Sequence, residues 1–313
     1  MRPDGKILAV AGPTASGKSD LAMALAGKYN GEIVCCDSMQ IYRGMDIGTA
    51  KPTEKDRAEI PHHMVDFLDP GTKYSCADYA AAASACVDGI LDRGRLPVIC
   101  GGTGLYLDSL LYERPYEESN GADALRETLQ GQLEREGPHA MWEKLSALDP
   151  ESAAEIHENN TRRVIRALEI RLSTGKKKSE LDRVPLKKRY HACVLVLHTP
   201  DRELQNRRIA LRTEKMLEAG LLEETRRLLA AGALAEGNTA AQAIGYKEML
   251  SYLAGTQTLA QAEEALVIAT RQYAKRQDTW FRRTQDAHRI ELTAEQPDPY
   301  PRADAIVRAF LET

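Results

Sequence analysis

The sequence predicts an α/β protein: a P-loop core whose parallel sheet is flanked by helices, with an all-helical insertion domain. Three observations carry this reading. A phosphate-loop pattern, "GPTASGKS" at 12–19, follows a short apolar run and opens a helical one. In the N-terminal third, β-rich runs alternate with helical ones, as in a parallel sheet covered on both faces. Residues 121–181 then show only helical periodicity before one more β-rich run, so a helical segment is inserted between two sheet strands.

The elements follow in order. "KILAVAG" (6–12) is a first strand that enters the glycine loop, and "KSDLAMALAGKYNG" has helical spacing and is expected to end at Gly31. "EIVCCDS" (32–38) is a second buried strand, an Ala-rich helix covers 77–92, and "RLPVICGGTG" (95–104) is a third strand. The pattern changes near Tyr116. "ALRETLQGQLEREG" and "TRRVIRALEIRLSTG" are helical, "YHACVLVLH" (190–198) restores a buried strand, and helices continue to about 286. The expected division is therefore 1–115 with 190–313 as the core and its C-terminal helical part, and 116–189 as the insertion. "STGKKKSEL" (173–181) is expected to be the most flexible stretch. No internal repeat or low-complexity tract interrupts the chain.

Bulk properties narrow the class. Over 313 residues, 43% hydrophobic and 28% charged content is ordinary for a soluble globular protein. No run of eighteen apolar residues exists, so no membrane span is expected. The start, "MRPDGKILAVAG", reads as a first strand and not as a signal peptide. The cysteines (35, 36, 76, 86, 100, 193) form no C-x-x-C pair, so neither zinc nor a disulfide framework is expected, and the cytoplasm is the expected location. Net charge is −4, but residues 161–290 hold 25 Lys+Arg against 15 Asp+Glu, leaving 17 basic and 31 acidic residues elsewhere. That asymmetry suits a basic face for a polyanion, and equally a solvated helix surface.

The phosphate loop is the strongest chemical signal. Backbone N–H groups of 14–19 are expected to wrap a diphosphate, helped by the helix N-terminus. Lys18 supplies a point charge, and the Ser19 hydroxyl can help hold Mg²⁺. "CCDSMQIYRGMDIGTAKP" (35–52) begins at the end of the second strand, an edge that faces the ligand crevice in open α/β sheets. Asp37 there could coordinate Mg²⁺, act as a base, or cap the following turn. Gln40 could read an adenine edge. "GGTGLY" (101–106) lies at the same sheet edge and places the Thr103 hydroxyl where a hydrolysing nucleoside triphosphatase would carry an Mg²⁺-binding Asp. His62 and His63 are adjacent and lack metal-ligand spacing, which favours a structural or phosphate-proximal role.

Basic residues recur in four later stretches. "NNTRRVIRALEI" (159–170) sets Arg162, Arg163 and Arg166 at a helix start. "RRIALRTEKMLEAGLLEE" (207–224) sets Arg208 and Arg212 four apart on one helix face. "AIGYKEM" (243–249) carries Lys247, and "TRQYAKRQDTWFRR" (270–283) carries Lys275 and Arg276 among aromatics. Each alone is commonly a solvated face; together they tilt toward RNA. On the residues alone, a transferase and a small-molecule P-loop kinase are close alternatives, and an RNA-binding ATPase module is a third.

The motifs "GPTASGKS", "DSMQIYRGMDIGTAKP", "HHMVD", "GGTGLY", "RVIRALEI", "MLEAGLLEE", "AIGYKE" and "TRQYAKRQDTWF", in this order over residues 6 to about 284, resemble the bacterial tRNA dimethylallyltransferase (isopentenyltransferase) family. The resemblance implies transfer of a dimethylallyl group from dimethylallyl diphosphate to the N6 amine of the adenosine 3′ of the anticodon. It implies that Gly12, Pro13, Thr14, Ala15, Ser16, Gly17, Lys18 and Ser19 hold the diphosphate with Arg208 and Arg212, and that Mg²⁺ is the cofactor, reached by Ser19. Asp37 is implied as general base, with Thr103 holding the amine. The anticodon stem-loop of tRNA is the implied partner of Asp37, Ser38, Met39, Gln40, Thr103, Arg126, Arg162, Arg163, Val164, Ile165, Arg166, Lys247, Lys275 and Arg276. A monomer is expected, without the zinc finger of eukaryotic relatives.

Overall fold

The computed structural model describes residues 5–113, 122–235 and 237–313, so Tyr116, where the sequence pattern changes, lies outside the described residues. The chain divides into two compact units: Met1–Tyr112 with Lys188–Thr313, and Glu113–Lys187.

The larger unit is built on a parallel sheet. Its strands are β1 (Lys6–Ala11), β2 (Gly31–Cys35), β3 (His62–His63) and β4 (Leu96–Gly101). Two-residue strands β5 (Tyr112–Glu113) and β6 (Lys187–Lys188) flank the excursion into the second unit, and β7 (His191–His198) and β8 (His288–Glu291) complete the sheet in the order β3-β2-β4-β1-β7-β8. Registered pairs such as Val10↔Cys100 and Val10↔Leu195 place β1 at the centre. Alternation sends Ile7, Ala9 and Ala11 into one core layer and Leu8 and Val10 into the other. The first layer is closed by α3 (Cys76–Asp92) and α4 (Gly104–Leu111), the second by α1 (Lys18–Lys28) and the C-terminal α13 (Tyr300–Glu312). Burial on both faces is why these strands read as continuous apolar runs. The short α2 (Glu54–Glu59) precedes β3 and starts with a Thr53 capping box.

A third apolar cluster packs Ile41, Tyr42 and Met45 with helices from the C-terminal part. These helices are α9 (Arg202–Glu218), α10 (Leu221–Ala230), α11 (Tyr246–Leu253) and α12 (Leu259–Phe281). They bring the loop after β2 under the sheet's carboxyl edge.

The second unit holds α5 (Ala122–Leu148), α6 (Pro150–Glu155), α7 (Thr161–Thr174) and α8 (Lys178–Asp182) around Leu129, Met141, Leu145, Val164 and Leu168. Gly137 (φ 84) breaks α5, because the following Pro138 cannot donate into the ladder.

Some sequence expectations are corrected. The first helix ends at Lys28, and Gly31 opens β2, where a Cβ would stand 2.8 Å from the Leu96 carbonyl oxygen. "STGKKKSEL", expected to be the most flexible stretch, carries helical structure at both ends: Gly175 (φ 73) closes α7 and α8 follows. Asp149 ties it down, accepting from the Ser179 backbone N–H (3.1 Å) and hydroxyl (2.6 Å). The two-residue β3, the exposed "HRIE" of β8 and the amphipathic α13 were not expected. Among the described residues no helix is long and apolar enough to cross a membrane, and no disulfide joins the cysteines.

Candidate active site

The carboxyl ends of β1, β2, β4 and β7 meet at one sheet edge, the place where open α/β sheets bind ligands. The phosphate loop leaves β1. Positive φ at Ala15 (61) and Gly17 (82) reverses the local hand of the backbone, the geometry that curls successive N–H groups into an anion nest. In this state the Lys18 ammonium donates back to the Pro13 carbonyl at 3.3 Å. Burial pushes the Lys18 pKa below its ordinary value; Cys100 pulls it up, Arg212 pushes it further down, and Asp37 pulls it up. Arg212 on α9 is lowered by burial and supported by Asp37. Two half-buried cations thus face one carboxylate, an arrangement short of negative charge.

Asp37 lies two residues beyond β2. Its Oδ1 accepts the Met39 N–H at 2.9 Å and the Gln40 N–H at 3.4 Å, so it caps the turn that follows. The Ser38 N–H donates to Thr103 Oγ1 at 3.1 Å, which binds the β2 and β4 loops together. Gly101 permits this approach, because a Cβ there would lie 2.0 Å from the Cys36 carbonyl oxygen.

Two cavities open here, of about 420 and about 1220 Å³. Lys18, Ser19 and Arg212 line both. The smaller adds Thr14, Asp37, Ser38, Met39, Gln40 and Arg276. The larger adds Ala15, Ser16, Gly17 and Arg208. Gly12 and Pro13 are buried and line neither cavity. Pro13 has no N–H, and the Thr14 N–H is taken by the side chain of Gln277 at 2.8 Å. These three residues shape the loop, and the available donors narrow to 15–19.

The remaining expected residues have the following surroundings. The Gln40 amide donates to the carbonyls of Thr49 (3.1 Å) and Ala50 (3.0 Å), so its donors hold the loop. Val164 and Ile165 are core residues of the helical unit, leaving the exposed Arg162 and Arg163 as surface. Arg126 (2.8 Å) and Arg166 (2.7 Å) both pair with Glu169, which is 1% exposed. Lys247 and Lys275 are exposed on α11 and α12 and line neither cavity.

Several site residues escaped sequence reasoning. On α12, Tyr273 and Gln277 lie i,i+4 on one face, a spacing legible in "YAKRQDTWF". Burial raises the Tyr273 phenol, Asp37 adds to this, and a hydrogen bond with Thr103 opposes it. The Gln277 amide also donates to the Gly102 carbonyl at 2.9 Å. Gln205 of α9 donates to the Thr14 carbonyl at 2.8 Å. Lys51 is buried between the Tyr42 carbonyl (2.7 Å), Asp46 (2.6 Å) and Asp66 (2.6 Å). Glu224 of α10, 1% exposed, accepts the backbone N–H groups of Asp46 (3.1 Å), Ile47 (2.9 Å) and Gly48 (3.1 Å) and the Tyr246 hydroxyl (2.6 Å). His63 meets Glu32 at 2.6 Å, a structural contact, and His62 meets the Ile60 carbonyl at 2.7 Å while lining the smaller cavity. Among the described residues no His, Cys, Asp and Glu group could hold a metal by itself.

The IPP transferase family model matches residues 40–284, and an isopentenyl transferase model matches 5–62. The tRNA dimethylallyltransferase of Bacillus velezensis is 45% identical over 287 residues, covering 92% of this chain and 91% of that one. That of Bacillus subtilis is 44% identical with the same coverage. Among solved structures, the tRNA isopentenylpyrophosphate transferase of Bacillus halodurans has TM-score 0.73 at 37% identity, covering 99% of this chain and 97% of that one. A eukaryotic dimethylallyltransferase acting on tRNA has TM-score 0.84 at 31% identity, covering 99% and 80%. With a family match across most of its length and relatives this similar, the chain belongs to the IPP transferase family of tRNA dimethylallyltransferases.

Proposed function

We propose that the chain transfers a dimethylallyl group from dimethylallyl diphosphate to the N6 amine of the adenosine 3′ of the anticodon in tRNA, releasing diphosphate. The observation that carries this reading is the meeting of Lys18, Arg212 and Asp37 at one cavity wall: two cations for a leaving diphosphate and one carboxylate for an amine proton. As the allylic C–O bond breaks, charge builds on the diphosphate, and the N–H groups of 15–19 with Lys18, Arg208 and Arg212 stabilise it where it develops. The diphosphate also adds negative charge beside Lys18, which favours its protonated form. The amine enters as nucleophile and its proton passes to Asp37, while Thr103 positions it through the Ser38 link.

The donor set suits Mg²⁺, which takes one or two protein oxygens together with substrate phosphates. Ser19 Oγ would hold it, with Asp37 as the nearby carboxylate, and the ion would add charge neutralisation at the diphosphate. The adenine must leave its stack to reach the cavity. Arg162 and Arg163 on the helical unit, with Lys247, Lys275 and Arg276 on the larger one, would meet RNA phosphates, an exposed set suited to positioning. Arg126 and Arg166 contribute through the Glu169 network that stiffens their unit. The reaction is expected in the cytoplasm, by a monomer.

Incubation with labelled dimethylallyl diphosphate and tRNA tests the reading. Label in RNA, with diphosphate released in equal amount, is expected. Label-free RNA together with Lys18-dependent release of γ-phosphate from ATP would return the protein to the kinase or ATPase class.

A further inference from the structure

Gln277 hydrogen-bonds both the phosphate loop and the loop after β4, and it does so from a buried position, 5% exposed. Its amide orientation is dictated by its partners. The Thr14 N–H can only donate, so it meets Oε1 (2.8 Å); the Gly102 carbonyl can only accept, so it meets Nε2 (2.9 Å). Only a carboxamide offers one donor and one acceptor at this reach. Gln205 holds the next peptide, through the Thr14 carbonyl at 2.8 Å, so Thr14 is fixed on both sides by two amides from two helices. Gly102 is shaped to the contact: a Cβ there would stand 2.1 Å from Gln277 Nε2. The next residue is Thr103, tied to Ser38 beside Asp37.

We propose that Gln277 is a positioning residue that sets the distance between the two reaction partners, by bracing the diphosphate loop at Thr14 against the acceptor loop at Gly102. The inference rests on the prenyl-transfer reading of the site. Gln277 lines the wall of the smaller cavity, but both of its hydrogen bonds are spent on Thr14 and Gly102, and neither goes to the donors at 15–19 or to Asp37. Its loss should therefore spare the binding of each substrate and reduce the rate at which they react. A misplacement of about 1 Å between reacting groups can cost about 10²-fold in rate.

The experiment compares the parent with Gln277→Leu, Gln277→Glu, Gly102→Ala and the Gln277→Leu/Gly102→Ala double variant. Rates are referred to sites counted by inorganic pyrophosphate binding, so that misfolded protein does not enter. Gln277→Leu and Gly102→Ala are each expected to lower single-turnover kcat by roughly 10- to 100-fold. Pyrophosphate and tRNA Kd should stay within about threefold, and the double variant should be no slower than the slower single one. Gln277→Glu keeps size and acceptor but sets an oxygen against the Gly102 carbonyl, so it should fail to rescue. Unchanged kcat per site in the variants, an effect confined to KM or Tm, or additive losses in the double variant would overturn the proposal. A parent that places no label in tRNA overturns the underlying reading instead, and this one with it.

Discussion

Replacing Asp37 by Asn separates proton acceptance from structure. The turn after β2 depends on Oδ1, which accepts from Met39 at 2.9 Å and Gln40 at 3.4 Å. An asparagine keeps that oxygen in place and can accept both bonds, while the other oxygen, outside the turn, becomes an amide that cannot take a proton. The fold should therefore be preserved, unlike in Asp37→Ala, where losing the turn bonds costs about 1 kcal/mol each. Positioned general bases contribute about 10²–10⁴-fold, so Asp37→Asn should slow the chemical step by at least about 10²-fold, or about 2.7 kcal/mol of barrier. Two secondary effects on donor binding oppose each other: Asp37 supports the protonated form of Lys18, and it also repels an incoming diphosphate, so saturating donor is used to remove both. Single-turnover transfer at saturating substrates isolates the main effect. A rate within threefold of the parent would remove Asp37 from proton transfer and leave it as the turn cap alone.

Lys18→Ala should abolish donor use, and inorganic pyrophosphate should inhibit transfer competitively with the donor, as initial-rate kinetics would show. Neutralising Arg162 and Arg163 should weaken tRNA binding and flatten the slope of log K against log salt by about 1.4 to 1.8; an unchanged slope in filter binding would place both in solvent. Asp149 contributes to acid stability: burial would raise its pKa, but hydrogen bonds from Ser152 and Ser179 hold it down at about 2. Its folded value lies below its ordinary one, so its contribution is complete above pH ~4 and is lost as pH falls toward 2. Asp149→Asn should flatten the acid-unfolding curve of the parent across that window. Glu224→Ala should leave the N–H groups of 46–48 without their carboxylate, lowering stability by at least about 1–3 kcal/mol in denaturant titration.

What was legible in the sequence was local. The phosphate loop, Asp37 and the Gly-Gly-Thr strand end show themselves because a strand must precede them and glycine must sit where backbones touch, as at Gly101. The buried strands show because burial on both faces leaves only apolar residues. What was not legible depends on partners far apart in the chain. Nothing near Gln277 announces Thr14, 263 residues away, and nothing near Glu224 announces Gly48. Arginines mislead for the same reason: "RRVIR" reads as one basic patch, but the helical turn sends Val164 and Ile165 inward and hands Arg166 to Glu169. Strands β3 and β8, of two and four residues with only Ile290 buried, are too short to carry a periodic signal.

The Glu224 carboxylate has a meaning for traffic at the site. Three consecutive backbone N–H groups at 46–48 converge on it, and these same residues border the two cavities. Empty, such a cradle would be an anion nest in its own right at the rim of the site. The protein fills it with a carboxylate of its own, 1% exposed and held also by Tyr246, so these three N–H groups are not open to a ligand's phosphates.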